Sequence, residues 1–75
     1  MVRILIKWTT QPPAPAAIIS VLKRRALRGV GVMAVSPEGD YLKVFPSPDS
    51  PELLSLPLIK REIEAHFKGA HVVLP

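Results

Sequence analysis

Nine prolines stand in this chain of 75 residues, and they limit where regular structure can run. Proline fixes φ and lacks a backbone N–H, so the interior of a helix or of a central strand excludes it. Pro12, Pro13 and Pro15 therefore mark one stiff connector, Pro37 a turn, and Pro46, Pro48 and Pro51 a second loop. Pro57 falls inside a stretch of helical character, and Pro75 closes the chain. Whatever folds is assembled from short elements between those points.

Val2 to Trp8 alternates, with Val2, Ile4, Ile6 and Trp8 on one side and Arg3, Leu5 and Lys7 on the other, the pattern of a half-buried strand. From about Ala14 to Arg28 the period becomes helical. Ile18, Ile19, Leu22 and Ala26 then share one stripe, and Ser20, Lys23, Arg24 and Arg28 the opposite one. Gly29 stands where a helix end wants a residue free to take positive φ, and Arg24, Arg25 and Arg28 complement the helix dipole there. Val30 to Ser36 and Tyr41 to Phe45 form a hairpin around Pro37-Glu38-Gly39-Asp40. Which face of its first strand is buried stays open.

Ser50, Pro51 and Glu52 have the chemistry of a helix start: a capping hydroxyl, a first-turn proline and an early acid. A proline in a helix interior costs about 3 kcal/mol. Pro57 therefore either kinks this helix or belongs to the first turn of a main helix starting near Leu56, and the second costs less. Its apolar stripe is Leu56, Ile59, Ile63 and Phe67, with Lys60–Glu64 and Glu62–His66 as i, i+4 pairs. Gly69 ends it, and Ala70 to Leu74 reads as a last strand.

The order β-α-β-β-α-β, with right-handed crossovers, predicts a single α+β domain over residues 1–75 with the ferredoxin-like arrangement: a four-stranded antiparallel sheet with two helices on one face. A chain this short buries only roughly 60–65% of its unfolded surface, so it needs good local structure or a partner chain. With no cysteine, disulfides and thiolate metal sites are excluded. The apolar fraction of 48% suits a folded domain, and no apolar run approaches the ~20 residues of a membrane span. The expected location is cytoplasmic, with no membrane partner. The absence of asparagine, the single Gln11 and the many loop prolines also match the composition reported for thermophile proteins.

Charge is unevenly placed. Before Glu38 there are six bases, Arg3, Lys7, Lys23, Arg24, Arg25 and Arg28, and no acid; from Glu38 onward six acids meet four bases. A positive face of this kind suits a polyanion. If Ile4, Ile6, Leu42, Val44 and Val72 face the helices, the open face carries Arg3, Lys7, Tyr41, Lys43, Phe45 and His71, with Leu5 and Val73. Cations interleaved with aromatics suit single-stranded nucleic acid, RNA in preference to DNA, because rings stack on bases while Lys and Arg neutralise phosphates. The same face, partly apolar, equally suits a homodimer or another protein partner, or plain exposure to water. Lys23, Arg24 and Arg28 are a second phosphate-binding candidate, against the ordinary role of a solvated helix end.

Nothing in the sequence marks an enzyme or a cofactor. Gly29-Val30-Gly31 lacks the spacing of a nucleotide-binding loop and the lysine of a Walker loop, and a helix cap with a tight turn accounts for it. His66 and His71, the only histidines, stand without the carboxylate or thiol spacing of a metal site. No serine, histidine and acid fall into a nucleophile pattern. Residues 40–45 lack the glycine-aromatic signature of RNA-recognition domains, so no family is assigned from them. Trp8 is expected at the rim of the core. The reading is a small, non-enzymatic basic binding module associated with RNA, the ribosome or another nucleic acid, with a protein-interaction or homodimerising domain that uses the open sheet face as the alternative.

Overall fold

The computed structural model of the chain describes residues 1–24, 30–49 and 55–75. In chain order the elements are β1 (Val2–Trp8), α1 (Pro15–Arg24), β2 (Val30–Val35), β3 (Tyr41–Pro46), α2 (Leu56–His66) and β4 (Ala70–Val73). The later part of the expected first helix, its Gly29 cap, Arg25, Arg28 and the helix start at Ser50-Pro51-Glu52 lie outside the described residues.

The four strands form one sheet in the order β2-β3-β1-β4, and every neighbouring pair is antiparallel. The domain is thus an α+β structure with a four-stranded antiparallel sheet and two helices. Its core is one cluster: Ile4 and Ile6 of β1, Leu42 and Val44 of β3 and Val72 of β4 meet Ile18 and Leu22 of α1 and Ile59 and Ile63 of α2. Both helices therefore cover the same face of the sheet, and they also touch each other. Burying each such aliphatic side chain is worth about 1.5–3 kcal/mol, and this is the main favourable contribution a small domain has against its chain entropy.

Pro15 is the first residue of α1, where its missing N–H costs nothing and its fixed φ suits the helix. The buried residues of α1 are Ile18, Val21 and Leu22, while Ile19 is only half-buried. The apolar stripe thus holds Val21, three residues from Ile18 on the side that meets the sheet, in place of the expected Ile19. In α2 the first residue is Leu56, with Pro57 in the first turn and Ser55 as the cap, its hydroxyl accepting from Leu58 N–H at 3.3 Å. Pro57 therefore begins a helix rather than kinking one. Ile59 and Ile63 are fully buried, with Leu56 and Phe67 packed beside them.

One end of the sheet is fastened by a turn. The Ser36 hydroxyl, in a residue only 5% exposed, donates to Asp40 Oδ1 at 2.6 Å and accepts from the amides of Asp40 and Tyr41. Gly39 takes φ +73°, which a side chain would resist. The turn is pinned to β1 by Ile6 N–H donating to Asp40 O at 2.8 Å and Trp8 Nε1–H donating to Gly39 O at 2.6 Å. Trp8 also meets Phe67 edge to face at 6.1 Å, so it sits at the core rim as expected. In β2, Val35 packs against the core and Ala34 is exposed, which sets the strand's orientation. The register shifts between Val30 and Val32, so Gly31 is the extra residue of a bulge in the strand rather than part of a phosphate loop.

Candidate nucleic-acid interface

Alternation along β1, β3 and β4 decides which side chains reach the uncovered face. Arg3, Leu5, Lys7, Phe45 and His71 are exposed, and Tyr41, Lys43 and Val73 are half-buried. Register then fixes their neighbours. Arg3 lies opposite Lys43, Leu5 opposite both Tyr41 and Val73, and Lys7 opposite His71. Ala34 of β2 lies opposite Lys43 on its other side, and its small side chain leaves that lysine room.

Tyr41 is the focus of the arrangement. Arg3 is diagonal to it across the β1–β3 ladder, within reach of a long side chain. The Arg3 guanidinium carbon sits 5.0 Å from the ring centroid, and Lys43 Nζ, two residues along the same strand, sits 5.8 Å from it. Both cations lie within the ~6 Å at which a ring's negative face attracts them. None of the outward strand positions just named carries an acid.

One carboxylate stands at the edge of the sheet, beside His71. Glu64 Oε2 is 3.8 Å from His71 Nδ1, accepts from Lys60 Nζ at 2.9 Å and accepts from Val72 N–H at 2.9 Å. The Lys60 hydrogen bond, then the Val72 amide, hold the Glu64 carboxyl below its usual range, with partial desolvation working against them and the charges of Lys60 and His71 adding to them. Glu62 and His66 approach at 3.5 Å on α2, away from this face.

The other predicted cations do not join the sheet face. Lys23 and Arg24 are exposed at the end of α1, on the helix side of the sheet. With Ala16, Ile19 and Ser20 they border a shallow groove of about 480 Å³. The candidate residues thus divide into a sheet-face group, Arg3, Lys7, Tyr41, Lys43 and Phe45, and a helix-end group; Arg28 lies outside the described residues. Sequence reasoning missed Ala34, because β2 carries too little alternation to show its outward side. It also missed that Glu64 holds Val72, because an i, i+4 spacing says nothing about a strand beside it.

Among the described residues no group of three histidine, cysteine or acidic side chains is placed to hold a metal ion, and no helix is long and apolar enough to cross a membrane. Comparison with protein-family models, with curated proteins and with solved structures finds no match.

Proposed function

We propose that this chain is a non-enzymatic, ferredoxin-like binding module that takes single-stranded nucleic acid, RNA in preference to DNA, on the open face of its sheet. The element order and the strand order with β1 and β3 at the centre support the fold part of this reading. The observation that carries the binding part is the Tyr41 ring with Arg3 and Lys43 within 6 Å of it, among outward strand positions that carry no acid. A base stacks on the Arg3 guanidinium plane or replaces it on the phenol ring, while Lys43 and Lys7 meet the neighbouring phosphates. RNA is favoured because its unpaired, splayed bases are the usual targets of such faces, and its 2′-hydroxyl adds hydrogen bonds.

The experiment is fluorescence anisotropy of labelled single-stranded RNA, structured RNA and duplex DNA at two salt concentrations. If Arg3, Lys7 and Lys43 neutralise three phosphates, affinity for a single strand falls roughly twentyfold between 50 and 200 mM salt. No binding at the lower salt overturns the reading.

A second reading has its own support. Leu5 is 46% exposed at the centre of the face and Phe45 38% exposed near one end of it, which suits burial by another protein chain or a second copy. Such a dimer runs at twice its mass on gel filtration at either salt concentration, and burial of Leu5 does not depend on added RNA.

A further inference from the structure

β4 is an edge strand, paired with β1 on one side only. An edge strand presents a row of main-chain donors and acceptors to any other extended chain. At Val72 those groups are already occupied, by side chains rather than by a strand. Val72 N–H donates to Glu64 Oε2 at 2.9 Å, and Val72 C=O accepts from Lys60 Nζ at 2.8 Å. Lys60 and Glu64 are themselves joined at 2.9 Å, one turn apart on α2. Together they supply one acceptor and one donor at the positions where a fifth strand would supply its own. Both side chains keep about a third of their surface, 35% and 30%, so they are free to swing away without unpacking the core.

We infer that the Lys60–Glu64 pair is an autoinhibitory cap on β4: it occupies the hydrogen-bonding groups through which the strand would otherwise pair, antiparallel, with β4 of a second copy of this chain. The strand's own composition favours that occupant. Ala70, His71, Val72 and Val73 include no acid and two β-branched residues, so the segment pairs with itself without facing like acidic charges. With the two-fold axis at Val72, each Val72 faces its symmetry mate and the two exchange both N–H to O=C bonds. His71 then lies opposite Val73, not opposite itself. Beside the edge runs an open groove of about 510 Å³ bordered by Pro57, Lys60, Arg61, Glu64, Ala65 and Leu74, which gives the incoming strand its space. Two sheets of four strands would join into one of eight, by an isologous contact that closes on itself.

The test compares the wild-type chain with Lys60→Ala/Glu64→Ala by sedimentation velocity and by amide hydrogen exchange at several protein concentrations. The double variant is expected to run at twice the mass of the wild-type chain at concentrations where the latter keeps its size. Its Val72 amide exchanges faster than wild-type in dilute solution, where the cap is gone, and slows as concentration rises and a partner strand replaces it. Glu64→Gln keeps an acceptor oxygen at Val72 and is expected to keep the wild-type size. A folded double variant that stays at the wild-type mass overturns the inference. So does association without concentration-dependent protection of Val72. Failure of the double variant to fold, read by circular dichroism, also overturns it, since the pair would then be a structural requirement and not a removable cap.

Discussion

Ile4 is wholly buried and Leu5, its neighbour, is 46% exposed, though both belong to one central strand and are similar hydrocarbons. The same contrast separates Leu42 from Tyr41 and Lys43, and Val72 from His71. On the helix side, packing alone explains each residue: an aliphatic group fills a space bounded by two helices. On the other side, Tyr41, Lys43 and Val73 are half-buried and Arg3, Leu5 and Lys7 exposed, so packing explains less. Arg3, Lys43 and Tyr41 gather around one another on the side away from the helices, Arg3 exposed and the other two half-buried. A face that the core does not need to fill is the place to look for recognition.

That contrast can be broken most strongly at the core. Leu42→Ala is expected to cost about 2–5 kcal/mol of stability, close to all that a domain of this size has, whereas Leu5→Ala stays within roughly 1 kcal/mol. Urea denaturation measures both, and equal losses would mean that the outer face is packed as well. Next in size, Tyr41→Ala is expected to weaken single-strand binding by about 1–3 kcal/mol while leaving the midpoint of unfolding nearly unchanged. A loss of stability without a loss of affinity would turn Tyr41 into a structural residue.

The edge between the faces responds to acid. Glu64 is held below its ordinary value of 4.5 in the folded chain, so the stability it contributes is complete above that value and disappears as pH falls through the lower, folded one. Lys60→Met, which removes the principal cause, is expected to bring the Glu64 titration back up toward its ordinary value and to reduce the dependence of melting temperature on acid. Carboxyl NMR follows the titration directly. The smallest effect is expected at the helix end. Charge reversal at Lys23 and Arg24 alters only the long-range field felt at the opposite side of the molecule, so single-strand affinity at moderate salt should change by only a few tenths of a kcal/mol. A collapse of binding in Lys23→Glu/Arg24→Glu would move the interface from the sheet to α1.

Alternation made much of this legible beforehand. The period of two over Val2–Trp8 assigns Ile4 and Ile6 inward and Arg3 and Lys7 outward without any knowledge of the partner strands, and the structure has them so. The cost of an interior proline likewise places the start of α2 at Leu56. Other features depend on register, which the sequence does not write down. Arg3 and Tyr41 are 38 positions apart, and only the pairing of Arg3 with Lys43 brings the guanidinium over the ring. The division of the cations between two sides of the molecule follows from α1 lying across the covered face. The exchange of Val21 for Ile19 in the α1 stripe shows a finer limit: both are β-branched and apolar, so hydrophobicity cannot tell which of them turns inward.

Trp8 is the single tryptophan of the chain, and its surroundings make it an optical reporter with a known address. Its indole N–H is committed to Gly39 O in the hairpin turn, and its ring meets Phe67 edge to face just beyond α2. Emission from this one fluorophore therefore registers the attachment of two distant segments to β1 at once. It does so from the side of the sheet opposite Tyr41. A ligand arriving on the open face should leave that signal almost undisturbed, whereas any opening of the domain should change it, so binding and unfolding can be read apart in the same cuvette without a label on the protein.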